Sequence, residues 1–308
     1  MTDLPPTSGA AAGDLDVRLL DGAPSIPASL VRGLATAPGR PGARGSLPGH
    51  RLVQTGVEQD LRRLADYCEL TGSVLGDRVP ATWLHVLTFP LQVALMAGRD
   101  FPFPMLGMVH VANTMTQHRP VTVAETLALS SWAERMAPHR KGTTVDLVGE
   151  ARVGDQVVWE GRSTYLVRGA GSQAPAEQSR PAEEAPPVEE PPARSTTELA
   201  QWRLPADLGR RYARVAGDAN PIHLTALTAK ALGFPRAIAH GMWTHARALS
   251  ALGPRVPESY VVDVQFAKPV LLPSTVVLRG DLGEGSARLA VTSRDGSRTH
   301  LSMQVNGL

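Results

Sequence analysis

Residues 212–252 read YARVAGDANPIHLTALTAKALGFPRAIAHGMWTHARALSAL, and the organisation of the whole chain can be worked out from them. The segment enters on a helical pattern and then turns into a polar, turn-rich core of Gly217, Asp218, Asn220, Pro221 and His223. Gly, Asn and Asp tolerate turn geometry, and the residue before a proline is pushed out of the helical region, so this core is loop chemistry. A helix follows, then the Gly233-Phe234-Pro235 break, then His240-Gly241 opening another helix. A carboxylate and an imidazole five positions apart are thus presented by an irregular segment between helices. Segments of that kind are more often sites than scaffolding.

Downstream, alternating apolar runs at 260–266, 275–282, 288–293 and 300–305 predict four strands. Upstream, residues 170–194 hold six prolines and five glutamates in 25 positions, a composition that cannot bury a core and predicts an extended linker. The same order stands before that linker. Leu61, Leu64, Ala65 and Cys68 at three- and four-residue spacing predict a helix ending at Thr71-Gly72. The run 89–96 reads as a buried helix with Pro90 in its first turn. Residues 121–131, 143–153 and 157–167 read as strands of a curved antiparallel sheet. Tyr67 with Gly72 mirrors Tyr212 with Gly217, and Pro120-Val121 mirrors Pro269-Val270, which suggests a duplicated unit. Compared position by position, the first half has Ser73, Leu75 and Arg78 where the second has Asp218, Asn220 and His223, so one active site per chain is expected.

The expected fold class is therefore α+β: two tandem hotdog domains, each a long central helix wrapped by a curved antiparallel sheet. The expected boundaries are a flexible leader over 1–50, a degenerate hotdog over 51–169 serving as scaffold, a Pro/Glu-rich linker over 170–196, and a hotdog over 197–308 that carries the site.

Composition narrows the function classes. Lys+Arg 31 against Asp+Glu 29 leaves a formal net charge of +2, without the concentrated basic face of a nucleic-acid binder. The single cysteine, Cys68, excludes an internal disulfide and a multi-cysteine metal cluster, and its apolar helical position reads as inert packing. No stretch approaches the roughly 20 apolar residues of a membrane span, and the amino-terminal residues lack the basic start and apolar run of a signal peptide. A soluble, cytoplasmic protein is expected. No Gly-x-Ser-x-Gly elbow, P-loop or dinucleotide fingerprint is present.

Gly217-Asp218-Ala219-Asn220-Pro221-Ile222-His223, with Ala237-Ile238-Ala239-His240-Gly241-Met242, resembles the hydratase 2 motif of the MaoC-like dehydratases, nearest the mycobacterial type of double-hotdog (R)-3-hydroxyacyl-thioester dehydratase. Gln265-Phe266-Ala267-Lys268-Pro269-Val270 resembles the family's F-x-x-P-V strand beside the bound thioester. Two departures, Ala216 in the motif's Ser-Gly-Asp and Ser274 in its Pro-Gly, touch no expected catalytic group. The resemblance implies an (R)-specific 2-enoyl-thioester hydratase, or dehydratase in reverse, in fatty-acid metabolism. It needs no cofactor and no metal, and takes an acyl thioester of coenzyme A or acyl carrier protein.

That chemistry requires a water deprotonated as it attacks C3, a proton for C2, and stabilisation of the enolate-like charge on the thioester oxygen. Asp218 and His223 suit the first two, with either as the first base, and Asn220 would position them. A backbone N–H at a helix start is an unpaired donor, and in the family the corresponding glycine amide forms the oxyanion hole, which falls here on Gly241. His240, Lys268, Arg236 and Phe266 are the expected substrate contacts, the two cations meeting phosphates together with the Arg210-Arg211 pair. A chain of this kind already holds two hotdogs, a pseudo-dimer that leaves a homodimer open.

Blander readings compete. Asp218 and Asn220 also suit simple Asx turns, His240 a structural role, and Arg210-Arg211 a solvated helix face. Phe89, Met96, Phe101, Phe103 and Met105 read as core or as an acyl tunnel. A metal site from His223, His240 and His245 is disfavoured, because the last two are five apart and no zinc motif is present. The functional alternatives are a hotdog thioesterase and a non-catalytic acyl-thioester-binding subunit.

Overall fold

The structure, a computed structural model, describes residues 15–169 and 197–308. In chain order its elements are β1 (Asp16–Leu20), α1 (Ile26–Ala35), β2 (His50–Val57), α2 (Leu61–Thr71), α3 (Ala81–Ala97), β3 (Met108–Gln117), β4 (Leu127–His139), β5 (Gly142–Val153) and β6 (Gln156–Arg168). After the linker come β7 (Glu198–Leu204), α4 (Leu208–Ala216), α5 (Ala226–Ala231), α6 (Gly241–Ser250), β8 (Tyr260–Phe266), β9 (Ser274–Gly283), β10 (Ser286–Ser293) and β11 (Thr299–Gly307).

The strands form one sheet in the order β1-β2-β4-β5-β6-β3-β8-β11-β10-β9-β7. The order is nearly palindromic about the β3–β8 pair, where Ala112–Gln117 run antiparallel to Tyr260–Gln265. Each side of that seam wraps one buried helix, α3 or α6, which is the expected double hotdog. Matching hydrogen bonds mark the repeat. The amide of Val79 donates to Val121 at 2.8 Å just before α3, and that of Ala239 to Val270 at 2.9 Å just before α6. α2 and α4 both end on a left-handed glycine, Gly72 at φ 71° and Gly217 at φ 82°, a conformation that disfavours any residue with a Cβ.

The halves are locked by aromatic and guanidinium contacts. Tyr67 packs on Trp83 (5.3 Å between centroids) and on Tyr212 (6.3 Å). Trp243 Nε1 donates to the Leu70 carbonyl at 3.0 Å, and Arg247 Nη1 to that of Thr71 at 3.2 Å, so α6 caps the end of α2. In return Arg63 Nε donates to the Val215 carbonyl at the end of α4, at 2.7 Å. No helix among the described residues is long and apolar enough to cross a membrane.

Several expectations change. The leader over 1–50 is structured from Asp16 onward: β1 pairs in parallel with β2, and α1 starts on a Ser25 cap with proline in its first turn. Arg40, just after α1, ties this segment to the core: its Nη1 donates to the carbonyls of Met96, Phe101 and Phe103 at 2.7–3.0 Å. The central helix begins at Ala81, not near Phe89, so Pro90 lies inside it and burial on all sides outweighs the lost backbone bond. β2, β3 and β7 were not anticipated, and the strand expected over 121–131 runs instead from Leu127 to His139. The linker residues 170–196 lie outside the described residues.

Arg78 is not the counterpart of His223. The isolated bridges Arg78–Thr122 and Ile238–Leu271 pair Arg78 with Ile238 instead. Between cap glycine and helix start, the second half has residues 218–239 where the first has only 73–79. The acid, amide and imidazole therefore belong to an insertion in the second half.

Candidate active site

The insertion folds by spending its own polar groups. Gly217 closes α4, and Asp218 Oδ1 then accepts the Asn220 amide at 3.2 Å in an Asx turn. Asn220 Oδ1 accepts the Ile222 amide at 3.3 Å, capping the single 3-10 turn Pro221–His223. The Asx-turn reading of the sequence therefore holds, and these turns position the remaining carboxylate oxygen and the imidazole. Gly209 of α4 is where this turn crosses. A Cβ there would fall 2.0 Å from the His223 carbonyl oxygen.

His223 is 7% exposed, and its Nδ1 lies 2.8 Å from the Ile238 carbonyl. A carbonyl only accepts, so Nδ1 carries the proton and Nε2 presents its lone pair. His240 is the residue just before α6. Its Nε2 donates to the Asp218 carbonyl at 2.9 Å and lies 3.8 Å from Oδ2. Its ring stacks on His223 at 3.6 Å and tilts against Tyr212 at 4.8 Å. With only 2% of its side chain exposed, His240 holds the Asp218 backbone in place, which fits the structural role the sequence also allowed.

Ligand atoms of Asp218, His223 and His240 lie within 4.8 Å of one another. His240 Nε2 already donates to the Asp218 carbonyl at 2.9 Å, so that nitrogen has no lone pair to offer an ion shared with Asp218 and His223. The set suits a shared water better than a metal.

Charge states follow from the surroundings. Burial pushes the Asp218 carboxyl up, but the imidazoles of His240 and His223 and the Asn220 amide outweigh it and hold it below the ordinary value. Burial depresses His223, partly offset by Asp218. Burial and the neighbouring His223 lower His240 to about 3. Near neutrality the site therefore holds one carboxylate and two neutral imidazoles. Asp218 nevertheless keeps 32% of its side-chain surface accessible, so a small molecule can reach it.

Gly241 is the first residue of α6, and its helix carries no side-chain cap. Its amide has no acceptor within the helix. A Cβ there would stand 3.0 Å from two carbons of the Phe266 ring, so Gly241 and Phe266 line one narrow space. His110, half-buried on β3, was missed by the sequence reading; its ring lies 5.0 Å from Phe266 and 4.7 Å from Tyr165. Its signal was the alternation of β3, which only an assigned strand would have exposed.

The structure brings together Asp218, Asn220, His223, His240, Gly241 and Phe266. Arg236 and Lys268 stay exposed outside this cluster, with Arg236 Nη1 3.4 Å from the Pro273 carbonyl. Arg210 donates to the Leu224 carbonyl and Arg211 faces Glu69 at 3.9 Å, so that pair is engaged within the fold. Cys68 is buried, and burial raises its thiol to about 11, as suits packing. A cavity of about 700 Å³ opens elsewhere, between α1, β1–β2 and the end of α3, and includes none of the loop residues.

Comparison with known proteins identifies the family. Residues 180–300 match the family described as MaoC like domain. The chain is 36% identical over 266 residues to 3-hydroxyacyl-thioester dehydratase X of Mycobacterium tuberculosis, covering 85% of this chain and 91% of that protein. The crystal structure of HtdX from M. tuberculosis superposes with a TM-score of 0.72 at 34% identity, over 84% of this chain and 100% of that one. A MaoC-like dehydratase from Phytophthora capsici shares the fold with a TM-score of 0.68 at 19% identity, over 85% and 96% of the two chains.

Proposed function

Because the chain belongs to the MaoC-like dehydratase family, we propose that it interconverts trans-2-enoyl thioesters and (R)-3-hydroxyacyl thioesters, as a hydro-lyase of fatty-acid metabolism. The observation that carries the reading is the pairing of the Asp218 carboxylate with the neutral His223 imidazole, whose atoms lie within 4.8 Å. Both are acceptors near a helix-start amide, and Asp218 keeps 32% of its side-chain surface accessible.

A water held between Oδ2 of Asp218 and Nε2 of His223 points both hydrogens at acceptors and its lone pairs outward. As its oxygen bonds to C3, the C2–C3 π pair moves toward the thioester carbonyl, and one of the two acceptors takes the water's proton. The oxyanion lies on the Gly241 amide, whose partial positive charge at the α6 start matches the growing negative charge. Collapse of the enolate draws a proton onto C2 from the acid formed in the first step. Dehydration is the same path reversed. His240 supports this by fixing the Asp218 backbone, and Asn220 by fixing the turn.

The acyl carrier is coenzyme A or acyl carrier protein, with the exposed Arg236 and Lys268 as candidate phosphate contacts. The amino-terminal half would serve as scaffold and acyl tunnel. A single buried thiol suits the reducing cytoplasm, where we place the protein.

The test follows the ultraviolet band of the conjugated enoyl thioester on adding crotonyl-CoA, longer trans-2-enoyl-CoA substrates and their acyl carrier protein counterparts, with a thiol reagent in parallel. Loss of the band without thiol release is expected, slowed by about 10²–10⁴ in folded Asp218→Ala and His223→Ala. Thiol release would make the protein a thioesterase. A silent band with every substrate would remove the catalytic reading.

A further inference from the structure

Beyond the catalytic loop, the interior between α3 and α6 carries polar side chains that the hydration chemistry does not use. His85 stands on α3 and His245 on α6, each five residues past its helix cap, Pro80 or His240. His245 and Gln92 are 0% exposed and His85 is 4% exposed. Both ring nitrogens of His245, both amide atoms of Gln92, Nδ1 of His85 and Nε2 of His110 have no hydrogen-bond partner among the described residues. Buried polar atoms are paired in the great majority of cases, so six orphans in one region call for an explanation.

Their positions supply one. His245 is one helical turn from Gly241 on the same face of α6, and Gln92 is two turns from His85 on the same face of α3. The rings of His85 and His110 are near-parallel at 6.4 Å, and His110 lies against Phe266, which in turn bounds Gly241. Contacts therefore run from the oxyanion position inward through Phe266 and His110 to His85. The Asp218 charge reaches His85, His110 and Tyr165. Phe89, 6.2 Å from His85, supplies an apolar neighbour.

Resting on the hydratase reading, we propose that this wall is a polar acyl subsite that selects chains bearing a hydroxyl group beyond C3. Neutral imidazoles and a carboxamide each offer a donor and an acceptor, which is what a hydroxyl needs. Burial holds His85 at about 4 and His110 and His245 at about 3, so the wall is uncharged near neutrality. A carboxylated chain would require a cation that this wall does not contain. A plain alkyl chain would leave the orphans unpaired, and a site built to bond a hydroxyl rejects the analogue lacking it.

The experiment compares a medium-chain trans-2-enoyl-CoA with the same chain hydroxylated at successive carbons beyond C4, reading kcat/KM and, separately, equilibrium Kd. One hydroxylated isomer should be preferred by at least about tenfold, chiefly through KM. Gln92→Leu and His245→Leu should bring that ratio to about one while raising the melting temperature, because each removes an orphaned polar group. A wild type that treats the plain chain as well as every hydroxylated isomer would overturn the proposal. So would a preference unchanged in both variants. If no enoyl chain is hydrated, the catalytic reading falls by itself, and the Kd ratio still decides the subsite.

Discussion

Gly241→Ala separates the oxyanion reading from simple packing. The added Cβ would stand 3.0 Å from two Phe266 ring carbons and 3.3 Å from a third. Optimal carbon contacts lie at about 3.5–4.0 Å, so the ring must shift by roughly half an ångström. Phe266 ends β8 and is only half-buried, which makes that shift cheap. Alanine also removes the entropy penalty of glycine in a helix, worth about 0.5–1 kcal/mol. The fold itself shows that a Cβ is tolerated, since the corresponding start of α3 is Ala81 after Pro80. Stability should therefore change by no more than about 1 kcal/mol. Turnover should behave differently, because an oxyanion must come within about 2.7–3.1 Å of its donor and the Cβ now stands in that approach. The expected loss is about 10²–10³ in kcat, read by the enoyl-band assay with urea unfolding as the control. Adding Phe266→Leu should relieve the ring contact without restoring turnover. A folded Gly241→Ala enzyme with near wild-type kcat would refute the oxyanion assignment, and recovery in the double variant would reduce it to packing.

Two further expectations concern pH. Asp218 and His223 both titrate below their ordinary values, so the acid limb of kcat/KM should lie below pH 6.5 in the free enzyme; a limb at or above the ordinary imidazole value of about 6.5 would contradict the neutral-imidazole site. Stability should move in the same pH direction. His85, His110, His240 and His245 titrate at about 3 to 4 when folded, against about 6.5 unfolded, so the unfolded chain binds more protons as pH falls below 6.5. Stability is therefore greatest above that value and declines toward pH 4, by about 2 kcal/mol per imidazole between pH 7 and 5. Urea midpoints equal at pH 7 and pH 5 would show that these rings are hydrated and not buried.

Much of this was legible because some residues carry a physical requirement that survives in one sequence. The loop of Gly217, Asp218, Asn220 and His223 declared itself through turn chemistry, and the strands of the second half through alternation. Other parts depend on tertiary partners. β3 reads Met-Val-His-Val-Ala-Asn-Thr-Met-Thr-Gln, with polar residues that face the seam and the site, so apolar alternation is weak where the strand matters most. α1 exposes Val31 and Leu34 and looks like unanchored leader, yet Ile26 packs on Gly217, where a Cβ would meet its Cδ1 at 2.5 Å. The contact by which His240 would play its structural role was unreadable, because it rests on one carbonyl oxygen brought from 22 residues away.

The asymmetry of the two halves argues for how the single site arose in structural terms. Superposing the repeats by their backbone bonds aligns Val79 with Ala239, Pro80 with His240 and Ala81 with Gly241. The first half thus lacks both the clamp that holds the Asp218 carbonyl and the open helix start that would receive an oxyanion. It also lacks the insertion that carries the carboxylate and imidazole. Restoring one residue in the first half would accomplish nothing, since each depends on the others for position. What that half retains is a longer α3, whose additional turns reach Gln92 and the aromatic cluster of Phe101 and Phe103. On the proposed function the chemistry would be confined to the second half, with the first supplying the wall against which an acyl chain would lie.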